Sequence, residues 1–144
     1  MSDLDERFSS ALQSTARAWR QAVDRRLKYL GVSQASWMTI AVAAKARTPL
    51  SQSELADRLA VEGATMVAMV DRLVKAGFVI REPSTTDRRI KRVVLTPAGN
   101  LLYDKVRAEA ATFRKELLAN IDPKALLAAT DLLERLEGII DSLP

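Results

Sequence analysis

The chain has 144 residues, a formal net charge of +4, and neither cysteine nor histidine. Those two absences exclude disulfides, thiol redox sensing, thiolate nucleophiles, Ser-His-Asp hydrolases and zinc sites built from Cys or His. With 48% hydrophobic and 28% charged residues, no apolar run near the roughly 18 residues that span a bilayer and no secretory signature in the acidic start MSDLDERF, a cytoplasmic globular domain is expected.

Carboxylate chemistry is the enzymatic option left, and no pair of Asp or Glu stands out from ordinary solvated helix faces. The expectation is a protein that is not an enzyme and carries no cofactor or metal. A pI near 9.7 favours a polyanionic partner, and the placement of the charge matters more than its sum.

The first third predicts one long helix, because Leu4, Phe8, Leu12, Ala16, Trp19, Val23, Leu27 and Leu30 recur at threes and fours. Gly31 ends it. Ser33 suits the N-cap of a second helix, QASWMTIAVAAKA, which is apolar around most of its circumference and therefore central, and RTPL closes that helix.

Ser51 to Glu54, SQSE, is a capping box: the Ser hydroxyl accepts from the Glu amide while the carboxylate reaches back. A short helix follows from Ser53 to Leu59, with Leu55, Ala56 and Leu59 inward. After AVEG comes ATMVAMVDRLVKA, with Val67, Val70, Leu73 and Val74 inward and Gly77 closing it. Two short helices so joined make a helix-turn-helix, whose second helix enters the DNA major groove.

FVIRE alternates as a strand, PSTTD supplies turn residues, and IKRVVL returns. Arg88, Arg89, Lys91 and Arg92 crowd the hairpin tip and the base of the returning strand, within reach of phosphates or a minor groove. The plain alternative is a solvated hairpin with screened charges.

Thr96 and Pro97 start a further long helix carrying Leu101, Leu102, Val106, Ala110, Phe113 and Leu117. Asp122 and Pro123 start the last, with Leu126, Leu127, Leu132, Leu133, Leu136, Ile139 and Ile140. The fold expected is mainly α with a small β-hairpin. A winged helix-turn-helix over residues 33–99 is flanked by a helical dimerisation region, residues 1–32 and 100–144, within a single domain overall. Apolar stripes at both ends suggest that the first and last helices pack together and form a homodimer interface; a single-chain helical bundle is the alternative.

The run LGVSQASW and the block from Leu50 to Gly99 resemble the MarR family of bacterial transcriptional regulators, its SlyA-like members in particular. The order of elements matches over nearly the whole chain. A D-x-R wing, Asp87 to Arg89, is followed by Leu95 and Thr96 at the family's spacing.

The resemblance implies a homodimeric repressor on pseudo-palindromic double-stranded DNA. Arg89 would enter the minor groove with Asp87 holding its guanidinium. Arg81, Arg88 and Lys91 would bind phosphates or brace the wing, and Ser51 and Ser53 would approach the backbone. Relatives often carry an arginine where Ala68 stands. Ala68 cannot hydrogen-bond to a base, so Ala64, Thr65 and Ala68 would touch thymine methyl groups, Thr65 could donate, and Arg72 would meet phosphate. Reading would lean on methyl contacts and on minor-groove width in A·T-rich flanks.

Family members commonly bind a small aromatic or phenolic acid between the dimer helices and the DNA-binding lobe. Trp37 and Met38 would give an apolar wall and Arg17 and Arg20 the cations. Against this, Trp37 also suits the core, and Arg20 has Asp24 four residues on as a partner. The missing cysteine and histidine argue against thiol-based peroxide sensing and zinc sensing. The competing function is a helical protein–protein interaction module without DNA binding.

Overall fold

The computed structural model describes residues 2–144. Helix α1, Ser2–Arg26, has Asp3 and Asp5 in its first turn and Arg25 and Arg26 in its last, charges that complement the helix dipole. It stops short of Leu30: Leu27 bonds back to both Val23 and Asp24, Lys28–Leu30 form a single 3-10 turn, and Gly31 reverses the chain at φ 70°. Helix α2, Gln34–Lys45, starts on Ser33, whose hydroxyl accepts from the Ser36 amide.

The stretch after α2 does more than end it. Leu50–Ser51 form a short strand, β1, which pairs with Val93 and Arg92. The expected hairpin, β2 (Val79–Pro83) and β3 (Lys91–Leu95), is thus part of a three-stranded antiparallel sheet in the order β1-β3-β2. Its register runs from Val79 opposite Leu95 to Pro83 opposite Lys91.

Between β1 and β2 lie α3, Gln52–Leu59, and α4, Gly63–Lys75. The turn is shorter than AVEG suggests, because Gly63 already belongs to α4, and Ala60 takes a left-handed conformation at φ 55° to end α3. The buried face of α4 is Met66, Met69, Val70 and Leu73, whereas Val67 and Val74, expected inward, are exposed. Both sets have helical spacing and share Val70 and Leu73, and packing on α2 and α3 selects the methionine-bearing one.

Helix α5, Pro97–Leu118, begins hard against the end of α4. Thr96 donates its hydroxyl to the Gly77 carbonyl and its amide to the Phe78 carbonyl, and then accepts from the Gly99 amide. A side chain at Gly99 would place its Cβ 2.0 Å from the Phe78 oxygen, so the close approach requires glycine.

The chain divides into two compact units, residues 1–111 and 112–144, with the boundary inside α5. The core of the first includes Leu27, Ile40, Leu55, Met66, Val70, Val79 and Val93. Val23 of α1 and Leu102 and Val106 of α5 are buried in it as well. In the second, α6, Pro123–Asp141, is capped by Asp122, and none of its residues is buried. No helix among the described residues is long and apolar enough to cross a membrane.

Candidate nucleic-acid interface

The capping box sets the first edge of the surface. Ser51 Oγ accepts from the Glu54 amide at 3.1 Å, and Glu54 Oε1 accepts from the Ser51 amide at 3.0 Å. The Ser51 backbone bond and then its hydroxyl hold the Glu54 carboxyl below its ordinary range. Ser51 is consequently buried with its hydroxyl engaged, and Ser53 is the serine exposed in the first turn of α3. On α4, Ala64, Thr65, Ala68 and Arg72 are all exposed and lie outside its buried set, with Thr65 and Arg72 bordering the buried methionines.

The wing carries the second edge. Asp87 Oδ1 accepts from both the backbone amide of Arg89 and its Nε, at 3.0 and 3.1 Å, and Oδ2 accepts from Nη2 at 3.0 Å. A carboxylate gripping a guanidinium at two points fixes its plane. The Arg89 side chain is nonetheless 90% exposed, so it is held and presented at once. The Arg89 guanidinium, and after it the Arg89 amide, push the Asp87 carboxyl below its usual value. The turn is tied by Ser84 N–H to the Ile90 carbonyl at 2.8 Å and by Ile90 N–H to the Asp87 carbonyl at 3.0 Å.

The remaining cations separate into two kinds. Arg88 and Lys91 are exposed. Arg92 lies mostly covered along the sheet, 3.9 Å from its cross-strand neighbour Glu82, with its Nε buried and without a hydrogen-bond partner. Arg81 faces inward from β2. Its Nε donates to Gln52 Oε1 at 2.6 Å, and its Nη2 donates to Asp71 at 2.6 Å and to the Val67 carbonyl at 3.3 Å. Sequence reasoning found Arg81 but neither Gln52 nor Asp71, because no local spacing links a strand to residues 29 and 10 positions earlier.

The four residues expected to hold an aromatic acid are not alike in their surroundings. Trp37 is buried, and its indole N–H donates to Asp24 Oδ1 at 2.9 Å. Lys28 lies 3.5 Å from the other Asp24 oxygen, so Asp24 serves Trp37 and Lys28 rather than Arg20. Arg17 and Arg20 are exposed on α1. Met38 lines a cavity of about 190 Å³ between α2 and the start of α4. A separate crevice of about 540 Å³ is walled by Gly31, Ser33, Ser36, Met69, Arg72 and Phe78 among others, and it joins a cation and two hydroxyls to an apolar surface.

Residues 42–91 match the family model described as MarR family. Among solved structures, the transcriptional regulator PA3341 is 37% identical with a TM-score of 0.87, the match covering 94% of this chain and 99% of that one. The MarR protein of Staphylococcus aureus, in complex with salicylate and kanamycin, is 21% identical with a TM-score of 0.85, covering 98% of this chain and 95% of that one. The transcriptional regulator SlyA is 19% identical with a TM-score of 0.79, covering 92% and 93% respectively. The last two likenesses are of fold alone; the first extends over nearly the full length at an identity that marks common descent. With its helix-turn-helix and wing in place, the chain belongs to the MarR family of transcriptional regulators, which bind DNA.

Proposed function

We propose that the chain acts as a homodimer that reads pseudo-palindromic double-stranded DNA, each copy laying α4 in a major groove and its wing along the flanking minor groove. The observation that carries this reading is the Asp87–Arg89 fork: a fixed cation at an exposed tip, on the same unit as an exposed first turn of α4. A minor groove concentrates negative potential where it narrows, and an arginine held in one plane is suited to enter it.

Ala64 and Ala68 offer only methyl groups and Thr65 a methyl and a hydroxyl, so base reading rests on thymine contacts and on groove shape. Ser53, Arg72, Arg88 and Lys91 meet phosphates, Ser51 orders the start of α3, and Arg81 braces. Dimerisation is supported by large apolar side chains left exposed on both terminal helices: Leu4, Phe8 and Leu12 on α1, and Leu127, Leu132, Leu133, Ile139 and Ile140 on α6. Repression is the regulatory sense of the proposal.

A small aromatic acid is proposed as the releasing effector. The salicylate complex of the Staphylococcus aureus relative supports the chemistry. The commitment of Trp37 to Asp24 shifts the weight from Arg17 and Arg20 towards the crevice beside Arg72. Titrating salicylate into DNA-free protein distinguishes them: Arg72→Ala weakens binding under the second placement, and Arg20→Ala under the first.

Selection of bound fragments from a random duplex pool tests the whole reading. Inverted half-sites centred about one helical turn apart, near 10 base pairs, are the expected result. A pool that stays unenriched at low salt would overturn it in favour of a helical protein–protein interaction module.

A further inference from the structure

We infer that the cavity between the end of α2, β3 and the start of α5 is a binding site for a free α-amino acid in its zwitterionic form. It measures about 280 Å³ and is lined by Ala43, Ala44, Arg47, Pro49, Leu95 and Asn100 among others. That volume lies just below the range of about 300 to 1,000 Å³ that holds drug-sized ligands, and it suits a smaller polar molecule.

The sheet supplies an open rung. Because β1 is only two residues long, β3 is paired on both sides at Arg92 and Val93 alone. On the β2 side, Thr96 N–H donates to the Phe78 carbonyl and Ser84 N–H to the Ile90 carbonyl. Hydrogen-bonded rungs alternate along an antiparallel pair, so Leu95, opposite Val79, turns its own amide and carbonyl away from β2. In the β1 register Thr48 would meet them, but it lies outside the strand and makes no backbone bond to Leu95 among the described residues. One extended residue on the cavity wall therefore keeps an unpaired donor beside an unpaired acceptor. An α-amino acid carries the complement in the same spacing: its carboxylate accepts from the Leu95 amide and its ammonium donates to the Leu95 carbonyl, as an opposing strand residue would.

Each charge of the ligand has a further partner. The C-caps of α3 and α4 return amide bonds to their own last turns, whereas α2 runs out at Ala46 in an extended conformation with no such bond among the described residues. The carbonyls of its last turn, where Ala43 and Ala44 line the cavity, keep their acceptors and the negative end of the helix dipole, which favour an ammonium. Arg47, exposed just beyond that turn, offers a guanidinium fork to the carboxylate. The Asn100 carboxamide can serve either group. A simple anion is opposed by the helix carbonyls and a simple cation by Arg47, while the zwitterion satisfies both.

Amide resonances of the DNA-free protein provide the test, which stands apart from the proposed DNA reading. L-Alanine should move the Leu95 amide saturably. Propionate, which lacks the ammonium, and L-alaninamide, which lacks the carboxylate, should each bind at least about tenfold more weakly, the scale of one lost charged hydrogen bond. Arg47→Gln should weaken L-alanine by about tenfold, and Arg47→Lys should retain most of the affinity. No saturable movement of Leu95, an equal response to either counterpart, or unchanged affinity in Arg47→Gln would each overturn the inference.

Discussion

Arg81 of β2 donates to Asp71 of α4 across 2.6 Å, and the same guanidinium reaches Gln52 of α3. One cation thereby joins the wing strand to both α3 and α4, with its Nε and Nη2 committed to protein acceptors. Arg81→Ala should lower stability by about 1 kcal/mol, the scale of a partly exposed charge-assisted bond. It should weaken DNA binding while leaving the salt dependence unchanged. Denaturant unfolding and binding isotherms at several salt concentrations measure both, and a shallower salt slope would instead make Arg81 a phosphate contact.

Arg89 should behave in the opposite way. Arg89→Ala leaves the circular dichroism spectrum unchanged, weakens DNA binding by about 1 to 3 kcal/mol and flattens its salt dependence. The Asp87 clamp adds a pH signature. Its carboxyl titrates below the ordinary value, so its hold on Arg89 is complete above the unfolded-state value of about 3.9 and is lost as pH falls through the lower folded value. The Arg89 Nε–H resonance should therefore stay constant from about pH 5 to 8. Asp87→Asn should move it at neutral pH and weaken DNA binding.

The capping box makes a graded prediction. Ser51→Ala removes the acceptor for the Glu54 amide and should cost about 1 kcal/mol in denaturant unfolding. Glu54→Gln can still close the box and should retain most of that stability. With Glu54 titrating below its ordinary value, its contribution persists above about pH 4.3 and falls away as pH drops through the folded value. The glutamine variant should lack that acid dependence.

Gly99 predicts a larger loss. An added Cβ meets the Phe78 carbonyl at 2.0 Å, and backbone on both sides must move. Gly99→Ala should destabilise the fold by about 1 to 3 kcal/mol, in the range of overpacked cores, and thermal unfolding measures it.

Assembly is tested by sedimentation. The chain should be a dimer at micromolar concentration. Replacing Leu132 and Leu133 together by Lys should yield monomers that lose tight binding to a palindrome, because two reading helices must stand about 34 Å apart. Monomers that keep full affinity would refute the dimeric mode.

Features encoded within a few residues were legible in the sequence. The Ser33 cap, the SQSE box and the turning glycines Gly31 and Gly77 depend on short spacings, the Asp87–Arg89 pair is what the family resemblance implies, and the structure has each of them. Features decided by packing were not. A strand of two residues such as β1 is too short to show an alternation. The inner face of α4 was a choice between two overlapping stripes, since Met66 and Met69 are as apolar as Val67 and Val74. Asp24 looked like a helix-surface partner for Arg20, but a buried indole N–H must find an acceptor, and Trp37 takes that carboxylate.

Ser51 stands opposite Arg92 in the sheet while its side chain starts α3. One residue therefore belongs to two elements, and the outer sheet edge cannot peel away without uncapping the helix beside it. Brief openings of this region would then be shared events, in which the amide protons of Glu54 and of β3 exchange with solvent at a common rate. The base of the hairpin, for all the exposed charge at its tip, would then open together with α3 instead of as a loose arm.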